Sequence, residues 1–165
     1  MAIADTGFGR VNNPVDLIEQ VASAQDWAAE RTNEDELTMS IAGTWADYNV
    51  SLNWREDLES LHIACAFDFK IPDNRMGEIY RLVAQINEQM WVGHFDVWAS
   101  EGLIMFRQAL MLNGTLATVS QCEALLKAAL EACERYYQAF QFVVWAGKDS
   151  RHALASAMFE TEGRA

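Results

Sequence analysis

The sequence predicts an α+β fold, and three patterns point to it. Apolar residues recur at every second position in three consecutive segments between residues 37 and 69. Apolar residues then recur at a 3.6-residue spacing over 72–90 and again over 118–144. The two kinds of pattern lie in separate blocks rather than strand by helix, which disfavours a parallel α/β sheet. The expected order is α-β-β-β-α-β-β-α-α. Its five antiparallel strands, a three-strand meander plus a hairpin, form one sheet whose one face the first and third helices cover. Pattern alone does not say where the hairpin joins the meander.

Asn13 and Pro14 read as an N-cap and a first helical position, and Val15, Ile18, Val21, Ala22 and Gln25 follow at helical spacing. They predict a helix over about 14–30, ended by the polar run ERTNEDE. Leu37, Met39 and Ile41 then alternate with Thr38 and Ser40. Tyr48, Val50, Leu52 and Trp54 alternate with Asp47, Asn49, Ser51 and Asn53. Leu61, Ile63, Cys65, Phe67 and Phe69 share one face, with His62, Ala64, Ala66 and Asp68 on the other. Short links at Gly43–Trp45 and Arg55–Asp57 make these segments an antiparallel meander.

Pro72 and Asp73 open a second helix carrying Met76, Ile79, Leu82, Val83, Ile86 and Met90, and a hairpin follows. A long helix starts at Thr118 or Ser120, with Ser120 and Glu123 at capping-box spacing. Its stripe is Cys122, Leu125, Leu126, Ala129, Cys133, Tyr136, Tyr137, Phe140 and Val144, and Gly147 suits its C-terminus. Asp149 or Ser150 caps a short last helix with Leu154, Ala157 and Met158 along one side. A flexible N-terminus over 1–12 and a flexible tail over 161–165 leave 13–160 as one domain.

Apolar residues make up 51% of the chain, well above the disordered class. Acidic residues outnumber basic ones 24 to 12, a formal charge of -12, and the excess is scattered along the chain. Such a surface repels phosphate backbones and anionic headgroups, which argues against nucleic-acid and membrane partners. The start, MAIADTGFGRVNNP, has no charged segment followed by an apolar run, and no stretch approaches the ~20 apolar residues of a membrane span, so a cytoplasmic location is expected. Cys65, Cys122 and Cys133 fall in apolar patterns and read as buried, reduced thiols.

The stretch WVGHFDVWASEGLIMFRQAL brings His94, Asp96 and Arg107 close together. A two-residue turn at Glu101 and Gly102 would pair Trp98 with Met105 and Asp96 with Arg107. Phe95, Val97, Ile104 and Phe106 then share the core face, and His94, Asp96, Trp98, Met105 and Arg107 the other. A cross-strand ion pair of about 0.2–1 kcal/mol accounts for both charges. Asp96 could orient His94 as in a catalytic dyad, but the segment supplies no Ser or Cys nucleophile. His62, His94 and His152 show no metal-ligand spacing, and TGFGRVNN matches no phosphate-binding loop, so neither a metal nor a cofactor is expected. Tyr136, Tyr137, Phe140, Phe142 and Trp145 crowd the end of the long helix over more than one face. The core itself could fill both sides as the last helix folds back, or one side could meet a second copy, a partner or a small molecule.

INEQMWVGHFDVW, GLIMFRQAL and LEACERYYQAFQFVVWAG together resemble the YbjN-like family of bacterial sensory transduction regulators, a likeness spanning roughly residues 13–160. The resemblance implies a fold like that of type III secretion chaperones, small proteins that bind other proteins and often dimerise. It implies a loose link to stress tolerance and motility regulation, and no catalytic residue to carry over. The leading expectation is therefore a non-enzymatic protein-interaction or chaperone-like module with an indirect regulatory or stress-related role. Its candidate surface is His94, Asp96, Trp98, Met105 and Arg107, with Tyr137 and Trp145 at the long helix; its partner is a protein, with a homodimer as a further expectation. The alternative is a sensory domain that binds a small ligand between the sheet and the long helix through Tyr136, Tyr137 or Trp145.

Overall fold

Asn13 caps the first helix, α1 (Pro14–Ala24): its Oδ1 accepts the Val15 N–H at 3.0 Å, and Pro14 takes the first helical position. This computed structural model describes residues 13–162. The helix ends well before residue 30. Asp26 adopts φ 57°, the Trp27 N–H closes onto the Ala22 carbonyl at 2.9 Å, and the chain reverses into strand β1 (Ala28–Asn33). The expected helix over 14–30 is therefore a helix and a strand, and the sheet has six strands rather than five. Strand β1, AAERTN, has no apolar alternation because it lies at the sheet edge and buries neither face; pairing to its neighbour holds it there. Part of the run ERTNEDE belongs to this strand. Its Arg31 ties the hairpin to α1 through Asp16 (2.8 Å) and Glu19 (3.0 Å).

The meander follows as read, in strands β2 (Glu36–Ala42), β3 (Asp47–Arg55) and β4 (Ser60–Ala66). Helix α2 (Met76–Glu88) comes after a 3-10 turn at Asp73–Arg75, and strands β5 (His94–Trp98) and β6 (Leu103–Met111) form the hairpin. Helices α3 (Val119–Val144) and α4 (Ser150–Glu162) complete the described chain. All pairings are antiparallel in the order β1-β2-β3-β4-β6-β5, so the hairpin joins through β6, with Cys65 opposite Phe106 and Ala64 opposite Arg107. Phe67 and Phe69 lie just past β4 yet stay buried, the first still donating its N–H to the Ile104 carbonyl (3.1 Å).

One core lies between the sheet and the helices. Leu37, Val50, Leu52, Ile63, Cys65, Phe95 and Phe106 face it from the sheet, and the stripe of α3 meets them. Its centre is aromatic: Phe67 packs edge-on to Tyr137 (5.1 Å) and Phe140 (5.3 Å), and Phe95 contacts Phe140 (5.2 Å) and Tyr136 (5.8 Å). All three cysteines are buried and free, and burial pushes the Cys122 thiol up to about 11 and the Cys133 thiol well above its ordinary range.

The helix ends are closed by side chains. Of the two expected starts for α3, Thr118 is the cap; the capping box pairs it with Gln121, not Ser120 with Glu123, because Ser120 already lies inside the helix. Asp149 caps α4 by accepting the His152 N–H at 2.9 Å. That helix packs back on α3 with Ala153 and Ala157 buried and Leu154 and Met158 half-buried. It continues to Glu162, two residues into the expected tail; the expected flexible segments at 1–12 and 163–165 lie outside the described residues. At the β5 edge, the Asn87 amide from α2 accepts the Phe95 N–H (2.8 Å) and donates to the Phe95 carbonyl (2.9 Å), as a neighbouring strand would.

Candidate protein-binding face

Because side chains alternate along each strand, the residues left wet by the core pattern gather on the second face of the sheet. Asn49, Ser51 and Asn53 come from β3, His62, Ala64 and Ala66 from β4, Met105 and Arg107 from β6, and Asp96 and Trp98 from β5. Short side chains in the middle and long ones toward β5 and the β3–β4 link leave a hollow of about 680 Å³. Ser51, Ala64, Ala66 and Met105 line it, together with Leu58, Leu103 and Trp98. Met105 is only 3% exposed although it lies on this face, whereas Trp98 is 53% exposed.

The hairpin register differs from the sequence reading by two residues. Trp98 pairs with Leu103, Asp96 with Met105 and His94 with Arg107, so four residues rather than two form the connection. A slip of two preserves which side chains share a face, so His94, Asp96, Trp98, Met105 and Arg107 are together as expected. Asp96 is no longer directly opposite Arg107, but the arginine reaches it diagonally: Nη1 lies 3.1 Å from Oδ2.

Arg107 also donates its Nε–H to His62 Nε2 at 3.2 Å. That bond requires a lone pair on Nε2, which assigns the neutral ring proton to Nδ1. Burial, then the charge of Arg107 and the proximity of His94, hold His62 below its ordinary value. The His94 ring forms no hydrogen bond among the described residues, and Asp96 bonds Arg107 and the Val97 N–H (2.9 Å) instead, so the His94–Asp96 dyad does not form. With the His62 lone pair occupied as well, the arrangement suits holding an anion and packing apolar groups better than moving a proton.

The other two candidates lie on the far side of the sheet and apart from this face. Tyr137 is buried in the aromatic core, where its hydroxyl donates to Asp68 Oδ1 (3.1 Å); burial and the Asp68 charge push it up to about 12. Trp145 caps α3, 60% exposed, with its ring against Phe69 at 4.9 Å. Tyr136 is buried too, against Phe95. Sequence reasoning missed His62 as a neighbour of Arg107, and Leu58 and Leu103 as lining of the same hollow. The alternation had placed His62 on the wet face, and only the β4–β6 pairing brings it to the hairpin. Among the described residues no group of three or more His, Cys, Asp or Glu could hold a metal ion, and no helix is long and apolar enough to cross a membrane.

Comparison with known proteins agrees with this architecture. The crystal structure of the ExsC-ExsE complex contains a chain similar to this one, with a TM-score of 0.55 and 20% identity over 78% of this chain and 91% of that one. The crystal structure of YbjN, "a putative transcription regulator from E. coli", gives a TM-score of 0.54 at 8% identity over 73% of this chain and 85% of that one. At these identities the likeness concerns the fold. No curated protein matches the chain by sequence. Residues 14–142 match the family model YbjN, described as "Putative bacterial sensory transduction regulator", and that match spans most of the chain, which therefore belongs to the YbjN family.

Proposed function

We propose that this YbjN-family protein is a non-enzymatic, cytoplasmic protein-interaction module with an indirect regulatory role, and that it meets its partner through the open sheet face. The observation that carries the proposal is the hollow of about 680 Å³ beside the half-exposed Trp98, on the one broad sheet surface that no helix of the described chain covers. The likeness to a chain of the ExsC-ExsE complex, itself a protein–protein assembly, supports the same reading. Three free, buried thiols fit a reducing compartment. A homodimer belongs to the proposal as a separate element; a light-scattering mass near 18.6 kDa at micromolar concentration would remove it.

Site-specific photo-crosslinking in the native cell tests the surface. Trp98→p-benzoylphenylalanine is expected to give a discrete adduct that Glu131→p-benzoylphenylalanine, on the exposed side of α3, does not. Identical adducts from both positions, or none from position 98, would refute the open face.

A small-ligand sensory role is the second reading, and the same hollow favours it, since its volume falls within the roughly 300–1,000 Å³ range of ligand pockets. Tyr136 and Tyr137 are consumed by core packing, so the ligand would sit on the open face rather than between sheet and long helix. A metabolite at about 100 times its Kd would stabilise the fold by ~2.7 kcal/mol, readable as a thermal shift that Trp98→Ala abolishes.

A further inference from the structure

Arg107 lines the hollow with donors to spare. Its Nε serves His62 and its Nη1 serves Asp96, while Nη2 has no partner among the described residues. Two bonds from opposite sides fix the guanidinium plane, so less side-chain freedom is lost when a further acceptor arrives. Apart from Asp96, which Arg107 holds beside it, no carboxylate stands at the hollow, although acidic residues outnumber basic ones two to one along the chain. The other arginine there, Arg55, gives both Nε (2.9 Å) and Nη2 (2.7 Å) to Asp57, whereas Arg107 makes a single bond to Asp96. Met105, the next residue of β6 on this face, and Trp98 and Leu103 farther along it give the same hollow an apolar wall.

We propose that Arg107 anchors a carboxylate of the partner protein, an Asp or Glu side chain flanked by apolar residues that pack on Trp98, Leu103 and Met105. The proposal rests on the open face being the partner surface. Nη2, the nitrogen left without a partner, can donate to one carboxylate oxygen, and beside apolar walls such a charge-assisted bond outweighs the same bond in water. The net charge of -12 does not cancel it, because charges beyond a Debye length of ~8 Å at physiological salt are largely screened. Six strands span five gaps of ~4.8 Å, a width of ~24 Å that a helix of about 16 residues would cross.

A displayed library of random helix-forming peptides of about that length, selected against the full chain at physiological salt, tests the anchor. The wild-type pool is expected to be rich in Asp or Glu between apolar residues, and the pool selected on Arg107→Gln to keep the apolar residues and lose the acids. The best peptide should lose about tenfold in affinity when its acid becomes Gln, the factor that 1.4 kcal/mol represents. On the Arg107→Gln protein its two forms should bind alike, with Arg107→Lys in between; circular dichroism confirms that each variant is folded. A pool rich in Lys and Arg, following the overall charge, would overturn the anchor, as would acid enrichment that survives Arg107→Gln. Peptides that bind Trp98→Ala as tightly as wild type, or a library that yields no binder, would instead overturn the open-face reading on which it rests.

Discussion

Gly93 joins α2 to the edge strand, and adding a single methyl group there tests how tightly the hairpin is seated. Its φ is 69°, in the left-handed region, where a side chain costs about 1–2 kcal/mol. A Cβ at this position would lie 2.3 Å from Phe106 Cζ and 2.8 Å from the Arg107 carbonyl oxygen, both far inside van der Waals contact. Phe106 is completely buried between Phe95 and the rest of the core, so its ring can yield only by disturbing β5 and β6; overpacking of this kind costs typically 1–3 kcal/mol. Gly93→Ala should therefore lose about 2–5 kcal/mol, a large part of the stability of an ordinary domain. Gly114→Ala is the internal control, since its φ of 71° imposes similar backbone strain while its Cβ would meet nothing within 4 Å. Urea unfolding of both variants, followed by fluorescence and far-UV circular dichroism, separates the two contributions. Equal losses at the two positions, or less than about 1 kcal/mol at Gly93, would refute the packing argument.

Three further outcomes follow from the contacts. Thr118→Ala opens the capping box of α3 and should cost about 1 kcal/mol in the same urea assay, whereas Ser120→Ala should change stability little. Asn87→Ala removes both partners of the Phe95 backbone and should cost about 1–3 kcal/mol, with faster amide exchange concentrated in β5. His62 is held below its unfolded value of ~6.5, so on acidification the unfolded chain takes up a proton that the folded chain still refuses. Stability from this source is complete above that value and declines as pH falls below it; Asp57 and Asp149, both lowered, act only under about pH 4. His62→Gln should flatten the stability profile between those limits, and superimposable profiles for the two proteins would exclude His62 as a contributor.

What was legible in the sequence followed from burial. Tyr48, Val50 and Leu52 in β3 and Leu61, Ile63 and Cys65 in β4 announce their strands because each sits on a half-buried surface, and the α3 stripe reports the same core. Strand β1 left no such trace: both its faces are exposed, so its place depends on hydrogen bonds to β2 and on Arg31 reaching Asp16 and Glu19. The hairpin register was misplaced by two residues, yet every face assignment survived because the side-chain period is two. The candidate surface was half legible for a related reason. Residues of β5 and β6 are neighbours in sequence, while the meeting of Arg107 with His62 spans 45 residues and depends on which strand β6 chose to join. Tyr137 and Trp145 were grouped with that surface by aromatic character alone, which says nothing about the side of the sheet on which a ring lies.

A sheet can lengthen from either end, and this one is not symmetrical in that respect. At β5 the Asn87 amide already fills the donor and acceptor positions that an incoming strand would need at Phe95, and the neighbouring Val97 N–H is taken by the Asp96 carboxylate. An intruding chain would have to evict groups that are tethered beside their targets and so re-form their bonds at high effective concentration. At the other edge, β1, Arg31 is drawn back to Asp16 and Glu19, and Glu30 leaves charge on an exposed strand, the kind of protection that discourages pairing. The sheet's two ends are thus protected by different means, a helix amide at β5 and charge at β1.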